Sequence, residues 1–224
     1  AGTYFPVNSR YGMPGFSDLL NAISNKWNHN RSDLMQSAKL IVEQLRLQKS
    51  ETKVTSDEKL IEKAIQVFKS NYDEIYGGFG AAPKFPTPHN LLFLLMYSRI
   101  YNDSTSLEMA EKTLTQMRKG GIFDHIGYGF SRYSTDQYFL APHFEKMLYD
   151  NALLIMAYSA AYHVTKNKVY LDTAEKTAIY ILRELTSSDG GFYCAQDADS
   201  EGVEGKYYTF TLSEIIDVLG EERG

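Results

Sequence analysis

Apolar residues recur at helical spacing through most of the chain and predict a run of helices. Near the start, the spacing predicts a helix over about 16–27 and a second helix after Asn30. The stretch before them, residues 2–5, reads as the end of a strand. A polar stretch at 48–56 predicts a boundary, so we expect one domain at 1–50 and another at 51–224.

Two kinds of helix alternate after this boundary. Helices with a single apolar stripe are predicted at about 57–75, 105–117 and 169–185, and helices that are apolar almost all round at about 90–101 and 144–163. An all-round apolar helix is buried, whereas a one-striped helix has a wet face. The alternation therefore favours a ring of helical hairpins, with inner helices enclosed by outer ones; an ordinary antiparallel bundle is the alternative.

The connections between these helices also alternate in length, and the long ones repeat a motif. They are short from inner to outer helix and long from outer to inner, so all long loops should lie at one end of the ring. Each long loop contains Gly-Gly, at 77–78, 120–121 and 190–191. Pro-His occurs twice, at 88–89 and 142–143, where proline suits the first turn of an inner helix. The repeat predicts that His89 and His143 lie at open helix ends.

Composition excludes several classes of protein. The 224 residues are 43% hydrophobic and 23% charged, with a net charge of -5 and scattered basic residues, so we expect a folded protein that does not bind nucleic acid. The longest apolar run, at 91–96, is too short to span a membrane. The single cysteine, Cys194, excludes an internal disulfide and a cysteine-based zinc site, and a cytoplasmic setting is the default. We expect neither a metal nor another cofactor.

The histidines of the long loops are candidates for acid–base chemistry. His125 follows Asp124 among glycines that let a ligand approach the backbone, although it could also simply bond to the loop. His143 at a helix start would be kept neutral by the helix dipole, which suits a base or a hydrogen-bond donor, although it could also have only a structural role at the helix N-terminus. His89 is the equivalent residue one repeat earlier, with less polar neighbours.

Charged residues after His143 give a second group of candidates. Glu145 and Tyr149 are four residues apart and would share the face of the inner helix that points into the ring. Lys146 and Asp150 have the same spacing, and they could instead form a buried structural pair.

The third long loop supplies two carboxylates at alternate positions. Asp197 and Asp199 could serve as acid and base in glycosyl chemistry, or they could belong to a turn before a hairpin-like segment at 205–211. Their spacing does not fit an EF-hand. Cys194 is expected to be a small buried residue rather than a nucleophile.

Aromatic residues crowd the same loops, and their flat rings suit the apolar faces of sugars. Phe85 is one of them. Lys84 beside it and Arg132 in the second loop would supply positive charge for hydroxyl, carboxylate or phosphate groups. Each ring alone is expected in a core, but together on one rim they favour a polar, ring-shaped ligand.

Several motifs together resemble the YyaL family, whose mammalian members are called spermatogenesis-associated protein 20. These are GTYFP, RYGMPGF, GGFGAAPKFP, the stretch from Gly120 to Ala152, and QDADSEGVEGKYYTF. The resemblance implies a thioredoxin-like α/β domain followed by an (α/α)6 domain similar to N-acylglucosamine 2-epimerases and six-hairpin glycosidases. This chain would be a fragment cut at both ends, with the last part of the first domain and the N-terminal half of the toroid.

The sequence therefore predicts a carbohydrate-active enzyme with its site at the loop-rich end. An epimerase would use His125 and His143 to exchange a proton beside a carbonyl, whereas a hydrolase would use Asp197 and Asp199. The proposed substrate-binding residues are Lys84, Phe85, His89, Arg132, Glu145, Tyr149 and Asp150. The alternative is a non-catalytic protein that binds a glycan or protein, or a thioredoxin-linked redox adaptor. Exposed inner helices would let the fragment associate with itself.

Overall fold

The computed structural model describes residues 5–10, 12–48 and 58–222, and divides the chain into two compact units, Ala1–Ser56 and Asp57–Gly224. The predicted strand end at 2–5 lies almost wholly outside the described residues, and so does most of the predicted linker at 48–56. The domain bounds at 50 and 51 therefore stay a prediction.

In the described part of the first unit, the chain forms two helices, α1 (Phe16–His29) and α2 (Arg31–Gln48). The loop before α1 is held by two backbone amides: Gly15 donates to Ser9 Oγ at 2.8 Å and Phe16 donates to the Pro6 carbonyl at 2.7 Å. The apolar stripe of α1 is 43–49% exposed along Phe16, Leu20, Ile23 and Trp27. Within the described residues, α1 therefore buries none of its own side chains.

The second unit is built from helical hairpins, as the alternation of the sequence predicts. Its helices are α3 (Glu58–Asn71), α4 (Pro88–Tyr101), α5 (Ser104–Lys119), α6 (Leu148–Thr165), α7 (Lys168–Glu184) and α8 (Leu212–Leu219). The inner helices α4 and α6 pack against each other, while α5 covers α4 and α7 covers α6. The core between them contains Leu91, Leu94, Leu114, Leu154 and Tyr158, all fully buried. None of the described helices is both long and apolar enough to cross a membrane.

Each inner helix keeps one apolar face uncovered. On α4 this face carries Met96 and Ile100, which are 63% and 65% exposed, and on α6 it carries Met156, which is 56% exposed. In a complete ring, these faces would point to the interior. Within the residues described, the two inner helices are thus buried against each other and against the outer helices, but not on this apolar face.

The three long loops repeat one local structure. They span 72–87 (loop 1), 120–147 (loop 2) and 185–211 (loop 3). Near the start of each, a backbone amide donates back to a glycine carbonyl and a short antiparallel bridge closes the turn. The donors are Asp73, Asp124 and Ser187, and the bridges pair Tyr72 with Phe79, Phe123 with Phe130, and Thr186 with Phe192.

A buried lysine fills the first two of these turns. Lys84 Nζ lies 2.5 Å from Asp73 Oδ2 and donates to the Gly77 carbonyl at 2.7 Å, and the Lys84 side chain is 1% exposed. Lys146 Nζ lies 2.9 Å from Asp124 Oδ2 in loop 2 and its side chain is 2% exposed. Each aspartate also accepts two amides of its own turn. Since Ser187 takes the aspartate's place in loop 3, that turn lacks the charged pair.

Short backbone pairings join the loops at one end of the unit. Loop 2 contains β1 (Tyr133–Ser134), paired antiparallel with β2 (Pro142–His143), and β3 (Lys146–Met147), paired with β4 (Ala195–Gln196) of loop 3. Loop 3 also contains the hairpin of β5 (Asp199–Ser200) and β6 (Val203–Glu204). A bridge between Lys84 and Ser134 ties loop 1 to loop 2. The predicted convergence of the long loops is confirmed.

The start of the second inner helix was predicted wrongly. The pattern places it at about residue 144, but α6 begins at Leu148. The backbone before it is used in pairing across the loops: the Arg132 amide donates to the Glu145 carbonyl at 2.7 Å, and the Leu148 amide to the Cys194 carbonyl at 2.9 Å. These bonds hold 142–147 extended, so tertiary pairing overrides the helical pattern.

Two further expectations fail in the same region. Lys146 does not pair with Asp150, because it precedes the helix and turns back to Asp124. The predicted hairpin at 205–211 is a 3-10 turn, Lys206–Tyr208, which carries Tyr208 toward the Lys146 ammonium.

We expect Lys146→Met to unfold the second unit much more readily than a surface lysine variant. It leaves the largely buried Asp124 carboxylate without its cation, at a cost of about 3–5 kcal/mol in the free energy of unfolding. Chemical denaturation monitored by circular dichroism measures this change. Lys176→Met is the control, since Lys176 forms a half-exposed pair with Asp172 that should contribute less than about 1 kcal/mol. Equal effects of the two variants would contradict a structural role for Lys146.

Candidate functional site

The strand-like segment 142–146 separates two sets of side chains. Successive residues of an extended chain point to opposite faces. Pro142, Phe144 and Lys146 point to one face, where they line a cavity of about 300 Å³ together with His125. His143 and Glu145 alternate with them in sequence and point to the other face, where Glu145 contacts Arg132.

The second face carries a cluster centred on Arg132. Its NH1 group donates to Glu145 Oε2 at 2.7 Å, and His143 Nε2 lies 3.8 Å from the same oxygen. The hydrogen bond that Arg132 donates to Glu145, with the nearby Tyr149, raises the pKa of Arg132. The Arg132 Nε is buried without a partner among the described residues. We call Arg132, His143, Glu145, Tyr149 and Asp150 the Arg132 cluster.

Asp150 is the buried acid of the cluster. It lies in the first turn of α6 and is only 8% exposed. Its Oδ2 has no hydrogen-bond partner among the described residues. Burial raises the pKa of Asp150 to about 6, and the charge of Glu145 acts in the same direction, whereas Arg132 opposes both. A carboxyl group with this pKa can release and take up a proton near neutral pH.

His143 is held on three sides. Its ring stacks on Tyr133 at 4.8 Å between centroids, and Tyr133 in turn packs against Phe85 at 4.9 Å. Nδ1 lies 2.6 Å from Glu204 Oε1, which reaches it from loop 3. His143 is therefore not at a helix N-terminus as predicted, because the segment is extended, but it joins the group of acidic residues that the sequence singled out.

His125 lies away from this cluster. Arg118 NH1 donates to His125 Nδ1 at 3.0 Å, and Nε2 donates to the Gly120 carbonyl at 3.2 Å, so both ring nitrogens are engaged in the loop. The structure thus does not bring His125 and His143 together. The structure supports the alternative interpretation of His125, in which the side chain bonds to its own loop.

The proposed binding residues of loop 1 and α4 have different surroundings. The Lys84 ammonium is buried and bonded to Asp73 and to the Gly77 carbonyl. The prediction that Lys84 binds substrate is therefore corrected to a structural role. Phe85 is 47% exposed and extends the ring stack of Tyr133 and His143 to solvent. His89 is exposed in the first turn of α4.

The two carboxylates predicted in loop 3 lie on its surface. Asp197 Oδ1 accepts the Asp199 amide at 3.0 Å, as expected of a turn, and both residues are exposed. Glu145 and Tyr149 do not share a helical face, because Glu145 precedes α6. Cys194 is exposed, contrary to expectation, since its carbonyl and not its side chain meets α6.

Glu204 is the cluster contact that sequence reasoning missed, whereas Tyr133 was expected only as one of the aromatic residues of the long loops. Glu204 is 61 residues away from His143 along the chain, and only the fold of loop 3 brings them together. Tyr133 faces His143 through the register of β1 and β2. Across the described residues, no group of three histidine, cysteine, aspartate or glutamate side chains could hold a metal ion.

Comparisons with known proteins agree with the two-part organisation. Residues 1–46 match a family model described as "Protein of unknown function, DUF255", named Thioredox_DsbH. Human spermatogenesis-associated protein 20 is 41% identical over 98% of this chain, and a Caenorhabditis elegans protein named uncharacterized protein B0495.5 is 37% identical over 99% of it. The chain spans 30% and 32% of the length of these relatives.

Solved structures share the fold of the helical hairpins. Cellobiose 2-epimerase from Spirochaeta thermophila aligns with 66% of this chain and 42% of its own, at a TM-score of 0.54 and 20% identity. An unsaturated glucuronyl hydrolase specific for heparin aligns with 63% of this chain and 44% of its own, at a TM-score of 0.51 and 17% identity. Identities this low establish the six-hairpin glycosidase-like fold alone.

The long match to the mammalian relatives, the thioredoxin-like family model at the N-terminus and the partial (α/α)6 fold behind it all agree with the motifs in the sequence. The chain belongs to the family of YyaL and spermatogenesis-associated protein 20.

Proposed function

We propose that this chain contributes to the active site of a carbohydrate-active enzyme, in which the Arg132 cluster moves protons at a sugar. The observation that carries the proposal is the carboxyl group of Asp150, which is buried, without a hydrogen-bond partner among the described residues, and poised with a pKa of about 6. A group of this kind is expensive to keep in a folded protein and is typical of catalytic sites.

The surroundings of Asp150 suit a sugar better than an apolar ligand. Phe85 and Tyr133 offer aromatic faces, and Arg132, His143 and Glu145 offer hydrogen bonds beside them. Such a mixture of flat rings and polar groups fits the apolar face and the hydroxyl rim of a pyranose. Relatives of the same fold include a cellobiose 2-epimerase, which acts on a sugar.

Epimerisation is the reaction that the cluster supports best. In this reaction, one group takes the proton from the carbon beside a carbonyl and another returns it. His143 is the candidate base, because its Nε2 lies 3.8 Å from Glu145 Oε2 and forms no hydrogen bond to the described residues. Asp150 is the candidate acid, since its raised pKa keeps it protonated at mildly acidic pH. Asp150 replaces His125 in the pair that the sequence suggested.

Glycoside hydrolysis is the second candidate. Two carboxyl groups in unlike environments can divide the roles of acid and base. Asp150 is desolvated, whereas Glu145 is half-buried and accepts a hydrogen bond from the Arg132 guanidinium at 2.7 Å. In this version Asp150 protonates the leaving oxygen and Glu145 acts as the base or nucleophile.

We expect the full-length protein to convert at least one sugar in a panel of mono- and disaccharides, followed by NMR of the epimers or hydrolysis products. Asp150→Asn and His143→Ala should each lower kcat by about 100-fold or more, because each removes a proton-transfer group. If Glu145→Gln also lowered kcat, and the product carried a new reducing end, the reaction would be identified as hydrolysis.

His163→Ala is the matched control for this experiment, because His163 is exposed at the opposite end of α6. It should leave kcat and KM unchanged. If the protein bound a sugar without converting any, and Asp150→Asn weakened that binding, a non-catalytic glycan-binding function would replace the enzymatic one.

We expect Asp150→Asn to stabilise the protein at neutral pH. The pKa of Asp150 is about 6 in the folded state and about 3.9 in an unfolded chain, so the folded state holds its proton longer and wild-type stability falls as the pH rises between these values. Asparagine removes this loss. The variant should therefore exceed wild type by about 1–3 kcal/mol at pH 7.

Unfolding by urea at a series of pH values measures the difference. The advantage of Asp150→Asn should shrink toward about pH 4, where aspartate is protonated in both states. Asp189→Asn, at an exposed position in loop 3, should show no such dependence on pH. A constant difference at all pH values would contradict a raised pKa at Asp150.

A further inference from the structure

Glu204 is the acidic residue of loop 3 that reaches the Arg132 cluster. Its Oε1 lies 2.6 Å from Nδ1 of His143, whereas the other ring nitrogen, Nε2, lies 3.8 Å from Glu145 Oε2. A carboxylate can only accept, so the proton of this bond belongs to Nδ1. The lone pair of a neutral His143 then lies on Nε2, which forms no hydrogen bond within the described part of the chain.

The β5–β6 hairpin, which carries Glu204, is held beside His143 by contacts of the residues that follow Glu204 and His143 in sequence. The Gly205 amide donates to the carbonyl of the buried Ala198 at 2.9 Å. Gly205 has a φ of +75° and lies so close to the ring of Phe144 that a Cβ there would overlap it. Since Gly205 follows Glu204 and Phe144 follows His143, this contact fixes the separation of the charged pair.

Aromatic stacking strengthens the same arrangement. Phe144 stacks on Tyr208 at 5.3 Å with ring planes 9° apart, which ties the end of loop 3 to loop 2. On the other side, the His143 ring stacks on Tyr133 with planes 18° apart. The plane of the imidazole and the direction of its Nδ1–H bond are therefore both determined, unlike those of an ordinary surface ion pair.

We propose that Glu204 is a positioning residue, which holds His143 in the Nδ1–H tautomer and presents its Nε2 lone pair to the substrate. This inference rests on the proposed function, because it assigns His143 the role of base. A carboxylate that orients a histidine through one nitrogen prepares the other for proton transfer, and it stabilises the imidazolium that forms. Loop 3 thereby contributes to the site through Glu204, rather than through Asp197 or Asp199.

Long-range proton–nitrogen NMR of the full-length protein tests the tautomer without any substrate. At about pH 9, where imidazole is neutral in ordinary surroundings, the His143 ring of the wild type should carry its proton on Nδ1. Glu204→Ala should shift the proton toward Nε2, and Glu204→Gln should have a smaller effect because the amide oxygen still accepts. The disappearance of signals in His143→Ala assigns the resonances.

Two variants of the same hairpin serve as controls. Glu201→Gln changes a carboxylate at the exposed turn that pairs with Lys206 and should leave the His143 tautomer unchanged. Gly205→Ala keeps Glu204 but forces the hairpin away from Phe144, so it should shift the tautomer as Glu204→Ala does. An unchanged tautomer in Glu204→Ala, with the fold intact by circular dichroism, would overturn the proposal.

Turnover separates the positioning role from the proposed function. On a sugar that the wild-type protein converts, Glu204→Ala should lower kcat by about 10²-fold with little change in KM. Glu204→Gln should recover part of this loss in kcat. A shifted tautomer with full turnover would show that His143 is not the base, which overturns the role assigned to Glu204. Absence of sugar turnover in the wild type, together with a shifted tautomer, would refute the proposed function while the orientation by Glu204 holds.

Discussion

The buried ammonium of Lys146 is the interaction on which the loop-rich end of the second unit depends. It is nearly inaccessible to water, and burial lowers its pKa, while the bond to Asp124 opposes that shift. The Tyr128 carbonyl accepts from it at 2.8 Å, and the rings of Tyr180 and Tyr208 lie 4.6 Å and 4.9 Å from Nζ. A cation so deeply buried is tolerable only when all these partners are in place. The turn of loop 2, the outer helix α7 and the end of loop 3 are therefore fixed together.

This constraint also explains the position of the candidate site. Because Lys146 must point inward, the alternation of an extended segment sends Glu145 and His143 to the opposite face. A helix beginning at residue 144 would have sent Lys146 and Glu145 in directions only 100° apart, and neither the buried pair nor the Arg132 cluster would form. The equivalent pair in loop 1, Lys84 with Asp73, shows that the buried ion pair is a repeated structural feature of the long loops, separate from the candidate site.

Sequence reasoning succeeded where structure follows from local periodicity. The alternation of inner and outer helices, the short and long connections and the convergence of the long loops could all be predicted, because each depends on neighbours a few residues apart. It failed where distant segments pair. The extended backbone at 142–147 follows from bonds to Arg132 and Cys194, and Glu204 reaches His143 across 61 residues. The pattern around Lys146 was compatible with a helical pair to Asp150, and only the turn of loop 2 determines that Asp124 is its partner.

Lys146 and Asp150 are both buried in this region, but they differ in whether their charge has a partner. Both side chains are more than nine-tenths buried, yet Lys146 has a partner for its charge whereas Asp150 makes no hydrogen bond to the described residues. A buried group without a partner reduces stability, so its presence calls for a compensating use. The N-terminal turn of α6 lessens the cost, since the helix dipole favours a negative charge there, but burial prevails and leaves the carboxyl poised between its two protonation states. Under the proposed function, a sugar hydroxyl would supply the missing hydrogen bond of Asp150, and the cost in stability would be offset by binding or catalysis.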